Sequence, residues 1–391
     1  MSIALAKRLQ HTEEYYFSIK LKEIEELNKA GKKVINLGIG SPDLPPHPSV
    51  IETLNQYASL PNTHAYQSYR GAAALREAIA AWYQRFYGVD VDPDTEVLPL
   101  IGSKEGIMHI CMTYLQEGDE ALIPNPGYPT YSSAVRLSGA TGVPYTLKEE
   151  HDWLPDLKAL ARQDLSKVKL MWVNYPHMPT GAAASEAFFN ELVQFGKDHQ
   201  ILICHDNPYS FILTEKPSSL MQVAGAKDIA IELNSFSKSS NMAGWRVGML
   251  IGASTRVNEI LRFKSNMDSG MFLPLQMAAV KALELDQSWY DELNSIYQAR
   301  REKVYRLLDL LHCTYDNKQV GLFVWAKIPP SYNNGYELSD EVLYKASVFI
   351  TPGGIFGTAG DGYVRVSLCT TEALLSDAIE RIEAVTFTPK I

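Results

Sequence analysis

The segment Ser235-Phe236-Ser237-Lys238-Ser239-Ser240-Asn241-Met242-Ala243-Gly244-Trp245-Arg246-Val247-Gly248 sets a lysine among small hydroxyl residues, directly after an apolar run over 229–233. An amine leaving a strand end can bond covalently to an aldehyde, while serine hydroxyls and the guanidinium of Arg246 hold a phosphate dianion. A serine-rich surface loop with a solvated lysine has the same composition, so the segment needs company before it carries chemistry. Upstream, an apolar run ends in Cys204-His205-Asp206-Asn207-Pro208-Tyr209. A carboxylate at the end of a buried strand is costly unless it meets a cation. A helix N-cap would account for Asp206 equally well. Gly102-Ser103-Lys104-Glu105-Gly106 follows another apolar run and opens a helix, so its backbone N–H groups can cradle a phosphate at the positive helix end.

Other motifs fail. Gly38-Ile39-Gly40 starts like a dinucleotide fingerprint, but Ser41-Pro42-Asp43 follows, with a proline where a helix should open. Gly252-Ala253-Ser254-Thr255-Arg256 lacks the last glycine of a nucleophile elbow, and no glycine loop precedes Ser237-Lys238-Ser239 to make a P-loop. The nine histidines show no ligand spacing, so no metal site is expected.

The elements that must position these residues read as α/β. Short apolar runs at 97–101, 121–123, 169–173, 201–204, 229–233 and 247–251 alternate with amphipathic stretches at 72–86, 104–116, 185–199 and 255–264, the pattern of strands joined by crossover helices in a mainly parallel sheet. After about residue 289 the texture changes to a long charged helix, alternating stretches at 322–326 and 363–368, and a last helix at 372–384. This predicts a second, smaller α+β domain. An amphipathic helix over 13–30, ended by Gly31, is expected to pack with it and make it discontinuous. The expected division is an N-terminal arm with part of the small domain over 1–45, a large cofactor-binding domain over 46–285 and a small C-terminal domain over 286–391.

The chain of 391 residues carries 36 lysines and arginines against 45 acidic residues, a formal charge of −9, which disfavours nucleic acid and anionic membrane surfaces as partners. No apolar run approaches the roughly 18 residues that span a bilayer. The start, MSIALAKRLQHTEEYY, has no apolar signal core, and the four cysteines are far apart with no C-x-x-C, so a reducing cytoplasmic setting is expected.

The pattern S-x-S-K-x-x-x-x-x-G-W-R-x-G resembles the Schiff-base segment of the class I/II aminotransferases, fold-type I enzymes that use pyridoxal 5'-phosphate. The likeness runs from about residue 35 to 367. It implies a seven-stranded central sheet flanked by helices, with Lys238 as the catalytic lysine. Asp206 and Tyr209 match the family's D-x-x-Y, which implies Asp206 against the cofactor's pyridinium nitrogen. Ser103, Lys104, Ser235, Ser237 and Arg246 correspond to phosphate ligands. Asn125-Pro126-Gly127-Tyr128-Pro129-Thr130-Tyr131 is similar to a segment whose tyrosine, here Tyr128, stacks on the ring; ordinary turn packing would use the same residue. Tyr66, in Tyr66-Gln67-Ser68-Tyr69-Arg70-Gly71, matches a tyrosine that reaches the neighbouring subunit's phosphate, which implies a homodimer with shared active sites. Tyr363-Val364-Arg365-Val366-Ser367 matches a late segment that makes Arg365 the clamp on the substrate α-carboxylate, with the backbone near Gly40 meeting the same group.

One departure stands out. Asn174-Tyr175-Pro176-His177-Met178-Pro179-Thr180-Gly181 resembles N-Y-P-N-N-P-T-G, but Met178 replaces the second asparagine, and a thioether has no proton to donate to the cofactor's phenolic oxygen. Tyr209 then serves that oxygen unless His177 or Asn174 turns inward. The resemblance implies transfer of an amino group between an amino acid and a 2-oxo acid, with a diaminopimelate-type or other dicarboxylic substrate favoured. A β-lyase or decarboxylase on the same scaffold, or a non-catalytic cofactor-sensing module, are the rival readings.

Overall fold

A computed structural model describes residues 3–9 and 16–387. Its strands in chain order are β1 (Ile35–Asn36), β2 (Val97–Leu100), β3 (Glu120–Asn125), β4 (Thr141–Thr146), β5 (Val168–Asn174), β6 (Leu202–Asp206), β7 (Ala230–Ser235), β8 (Gly248–Gly252), β9 (Thr314–Tyr315), β10 (Phe323–Lys327), β11 (Val348–Phe349), β12 (Thr351–Pro352) and β13 (Tyr363–Ser367).

Seven of them form one sheet in the order β2-β8-β7-β6-β5-β3-β4. Only β8 runs against its neighbours, so the sheet is mainly parallel. β5, β6, β7 and β8 are buried along most or all of their length, as expected of strands covered on both faces by crossover helices. The helix Ala73–Tyr87 buries Leu75, Ile79, Trp82 and Tyr83 at three- and four-residue spacing, and Gly88 ends it at φ 66°. β4 has no counterpart among the apolar runs. It is an edge strand, mostly exposed, with Pro144 where a ladder donor would otherwise stand.

A second sheet orders β12-β13-β10-β9, all antiparallel, under the helices Gln287–Leu310, Gly335–Ala346 and Glu372–Glu383. The two ends of the chain meet there. β1 pairs in parallel with β11, and the helix Tyr16–Lys29 lies against Gly335–Ala346 through Lys20 Nζ to Asp340 Oδ1 at 3.1 Å and an edge contact of Tyr16 with Tyr336. Residues 13–15 of the expected N-terminal helix lie outside the described residues.

Parallel strands expose their C-terminal ends on one side, and β5, β6 and β7 end there in Asn174, Asp206 and Ser235. The loops after strands in open α/β sheets are where ligands bind. β13 brings Arg365 to the same place from the second sheet, because Val364 and Val366 point into that sheet's core and alternation turns Arg365 the other way.

Candidate active site

A cavity of about 530 Å³ opens at these strand ends. Gly40, Ser103, Lys104, Tyr128, Asn174, Asp206, Tyr209, Ser235, Ser237, Lys238, Arg246 and Arg365 all line it. Tyr66 does not join them. It stands 90 % exposed on the surface.

Lys238 lies in the one-turn helix Phe236–Ser239 that follows β7, and Ser235 caps that turn by accepting from Ser237 N at 3.1 Å. Its Nζ donates to the Gly40 carbonyl and sits 5.9 Å from the Tyr209 ring centre. Burial lowers the lysine's pKa, and the positive charges of Arg365 and Arg246 push the same way against Cys369 and Asp206. A lysine so placed has a larger fraction of free amine near neutrality, as a nucleophile or proton acceptor requires.

Asp206 ends β6, 4 % exposed. Its Oδ2 accepts from Tyr131 OH at 2.8 Å, and its backbone carbonyl accepts from Asn174 Nδ2 at 2.6 Å. Oδ1 is buried with no hydrogen-bond partner. Burial pushes the carboxyl up to about 6, although the Tyr131 hydrogen bond and the nearby His205 and Lys238 charges pull it down. An orphaned carboxylate oxygen on a residue that lines a cavity is costly by itself and fits a cationic group placed beside it, as the protonated ring nitrogen of pyridoxal phosphate would be.

That residue carries a pH signature. A folded value near 6 against the ordinary 3.8 means that Asp206 stabilises the cofactor-free protein below about pH 4 and loses that contribution as pH rises through 6. The span of about two units corresponds to about 3 kcal/mol. A cation beside the carboxylate reverses the sign. The rise in Tm on adding pyridoxal phosphate is therefore expected to be larger at pH 7.5 than at pH 5, and Asp206→Asn should flatten the difference. Equal increments at both pH values in the unsubstituted protein, measured by calorimetry, would contradict it.

The start of the 12-residue helix Ser103–Tyr114 opens onto the cavity and is the candidate phosphate cradle. Gly102 precedes it at φ 81°, and a Cβ there would fall 2.2 Å from Arg246 Nη2, so glycine permits both the turn and the approach of the guanidinium. Arg246 Nη1 donates to Ala243 O at 2.8 Å and to Ser237 Oγ at 3.4 Å. Helix-start N–H groups, the hydroxyls of Ser103, Ser235 and Ser237, and one guanidinium form the donor set a phosphate dianion takes.

On the opposite wall the Arg365 guanidinium lies between two rings, 3.8 Å from the Phe323 centre and 4.6 Å from that of Phe356. Nη2 donates to Gly38 O at 2.8 Å and Nη1 to Met178 Sδ at 3.1 Å. A Cβ on Gly40 would meet Phe323 at 2.3 Å, so only glycine lets this loop close over the ring.

The two alternatives to Met178 are both engaged. Asn174 lines the cavity, where its Nδ2 donates to Asp206 O and its Oδ1 accepts from Met178 N at 2.8 Å. His177 Nδ1 is 2.8 Å from Thr180 Oγ1, and burial lowers the ring's pKa to about 3. Tyr209 keeps its proton, since burial pushes the phenol well up.

Sequence reasoning passed over Tyr131, Phe323 and Phe356. Tyr131 stands three residues after Tyr128 in the first turn of Pro129–Leu137, on the same face, a spacing that could have drawn attention to it. It also stacks on Trp172, with centres 5.0 Å apart. The two phenylalanines carried no motif, and only the pairing of β10 with β13 and the turn after β12 bring them to Arg365.

The family model for aminotransferase class I and II matches residues 32–382. The LL-diaminopimelate aminotransferase of Dehalococcoides mccartyi strain CBDB1 is 41% identical over 380 residues, 97% of this chain and 98% of the relative. The enzyme of the same name from Halothermothrix orenii is 41% identical over 97% of each chain. Among solved structures, apo-BacF from Bacillus subtilis superposes with TM-score 0.95 at 36% identity, covering 100% of this chain and 99% of that one. An aromatic aminotransferase from Pyrococcus horikoshii superposes with TM-score 0.85 at 30% identity over 93% of this chain and 98% of its own. By a family match that leaves out only the two chain ends, and by relatives aligned from end to end, the chain belongs to the class I and II aminotransferases, which use pyridoxal phosphate.

Proposed function

We propose that the chain moves an amino group between an amino acid and a 2-oxo acid, with Lys238 as the catalytic lysine. The observation that carries this is the meeting, in one cavity, of a lysine of lowered pKa, a buried carboxylate with an orphaned oxygen and a phosphate cradle. When bound, pyridoxal phosphate supplies an aldehyde that condenses with amines and a ring that takes up the electron pair left when a proton is removed. Asp206, held by Tyr131, would place its charge against the ring nitrogen. Ser103, Lys104, Ser235, Ser237 and Arg246 would bind the phosphate, Tyr128 would stack on the ring and Tyr209 would serve its phenolic oxygen, while Asn174 pins the Met178 backbone. Arg365 and the Gly40 loop orient the substrate carboxylate. Lys238 Nζ takes the α-proton of the bound amino acid and later returns it. A donor of diaminopimelate type is favoured by the names of the relatives at 41% identity. Release of one 2-oxo acid per site on mixing holoenzyme with a donor, and its reversal by 2-oxoglutarate, tests the reading.

Met178 adjusts this chemistry. Without an amide at position 178, the phenolic oxygen has one donor fewer, its negative charge is less favoured, and the proton at Lys238 Nζ leaves at higher pH. Met178→Asn is expected to lower the midpoint of the cofactor's absorbance titration by about one pH unit, the equivalent of one hydrogen bond to a charged group. Identical midpoints would remove the role assigned to Met178.

The reading includes a cytoplasmic homodimer with shared sites. It is supported by the exposure of Tyr66, Met267 and Phe272, at 90 %, 62 % and 46 %, by the contact of Phe272 with His64 and by the packing of Gly270 against Gln67 and Ser68. All four cysteines are free, and among the described residues no helix is long and apolar enough to cross a membrane. The proposed organisation is that of 1–45, 46–285 and 286–391 given above, with the cavity between the large and small domains. Tyr66→Phe should raise the cofactor Kd about tenfold, as loss of a hydrogen bond to a charged group does, while sedimentation still gives a dimer. An unchanged Kd would place Tyr66 outside the site.

A further inference from the structure

We propose that His205 is a positioning residue of this site: held with a proton on each ring nitrogen, it acts through the neighbouring Asp206 and keeps that carboxylate charged for the ring nitrogen of pyridoxal phosphate. This rests on the cofactor reading above and concerns a side chain that lines no part of the cavity.

Strand alternation turns His205 and Asp206 to opposite faces of β6. His205 is fully buried, edge-on to Phe189 with ring centres 5.2 Å apart, and both of its nitrogens meet acceptors. Nε2 is 2.9 Å from the Tyr175 carbonyl, which can only accept, and Nδ1 is 2.8 Å from Oε2 of Glu232, its register partner on β7. The proton between Nδ1 and Oε2 could belong to either group, and the surroundings of Glu232 decide. Leu220 N donates to Oε2 at 2.9 Å, while Tyr83 OH and Ser219 Oγ donate to Oε1 at 2.8 and 2.7 Å. Tyr83 keeps its proton, because burial pushes its phenol well up, and Ser219 Oγ accepts from Met221 N, which leaves its own hydrogen for Glu232. Three donors besides the ring are the company of a carboxylate, which accepts on both oxygens. An imidazole protonated on both nitrogens completes that set, and full satisfaction is what lets two opposite charges persist in the core.

The consequence falls on Asp206. The imidazolium belongs to the residue next to it, whereas Glu232 stands one strand over, so the pair favours the charged form of Asp206 against the burial that pushes it up. Asp206 is also faced by Tyr131, Tyr128, Tyr209 and Lys238. The three tyrosines keep their protons, since burial raises each phenol. Lys238 exchanges its proton during the proposed reaction, so its charge at Asp206 comes and goes. His205, shut away from the cavity, supplies a charge that substrate and product leave unchanged.

Neutron diffraction from the unsubstituted holoenzyme in heavy water at about pH 8, above the ordinary range of histidine, tests the hydrogen positions directly. A deuteron on both Nδ1 and Nε2 of His205 and none on Glu232 is the expected result. A bare Nδ1 would overturn this inference and leave the assignment of Lys238 and Asp206 standing, and this arm needs no variant to fold. The functional arm is the calorimetric Kd of pyridoxal phosphate for the cofactor-free chain, which should fall as pH rises and Asp206 ionises. The part of that fall which Asp206→Asn removes should have its midpoint raised by about one pH unit in His205→Gln, a shift of the size a neighbouring charge gives. An equal weakening at every pH, with the midpoint unmoved, would reduce His205 to packing and overturn the proposal. Failure of the unsubstituted chain to bind pyridoxal phosphate at any pH would overturn the inference and the cofactor reading together.

Discussion

Lys238→Ala is expected to lower transamination by about four orders of magnitude, the upper end of what a positioned general base contributes, because one side chain supplies both the nucleophile and the base. Cofactor retention should fall far less. The phosphate cradle at Ser103, Ser237 and Arg246 and the Asp206 carboxylate lie on other parts of the cavity wall and keep their own supports, Arg246 through Ala243 O and Asp206 through Tyr131 and Asn174. The variant should therefore bind pyridoxal phosphate with the spectrum of a free aldehyde. Borohydride, which fixes a lysine-linked cofactor, should label the unsubstituted chain at Lys238 and leave the variant unlabelled. Turnover within tenfold of the unsubstituted enzyme would remove Lys238 from its role.

Arg365→Lys should act on the substrate and spare the cofactor. The guanidinium lies between the Phe323 and Phe356 rings and donates to Gly38 O, so its position at the cavity wall is set in the folded protein. Nη1 donates to the thioether of Met178, a weak acceptor that an entering carboxylate would displace. The cost of organising the clamp is thus met in the folded protein. An ammonium on a flexible stem can neither stack between two rings nor donate twice in one plane. Loss of a buried, hydrogen-bonded charge pair costs about 3 kcal/mol, so KM for the amino donor should rise about 100-fold. The titration midpoint of the bound cofactor should stay close to that of the unsubstituted enzyme. A KM within a factor of three would mean that the carboxylate is held elsewhere.

The two variants divide the cavity along the same line as the chain. Lys238 and Asp206 come from strand ends of the seven-stranded sheet, and the apolar runs that mark β5, β6 and β7 were legible because buried parallel strands are nearly continuous apolar sequence. Their functional residues were legible as the first polar groups after those runs. β4 was not, since an exposed edge strand with a proline has no such run. Arg365 stood out as a charge between Val364 and Val366, but its surroundings did not. Phe323 and Phe356 reach it through the pairing of β10 with β13 and the turn after β12, contacts between residues distant in the chain that no local pattern encodes. Tyr131 is an intermediate case. It was visible in a motif, yet its hydroxyl's bond to Asp206 depends on how the helix Pro129–Leu137 sits on the sheet. Met178 was legible as a departure from a pattern, and its contact with Arg365 gives it a second partner that the pattern did not suggest.

The net charge of −9 disfavours polyanionic partners, while the cations gathered at the cavity point to a small anionic ligand. Steering of that kind is local: Lys104, Lys238, Arg246 and Arg365 line one cavity with a single carboxylate among the described lining residues.

The most direct measurement is a single-turnover half-reaction. Holoenzyme is mixed with an excess of amino donor and no oxo acid, and the products are counted against the cofactor. One equivalent of the matching 2-oxo acid, no ammonia, no carbon dioxide, and restoration of the starting spectrum on adding 2-oxoglutarate are the expected result. Ammonia or carbon dioxide released in repeated turnovers, or a bound amino acid with no product, would contradict the aminotransferase assignment.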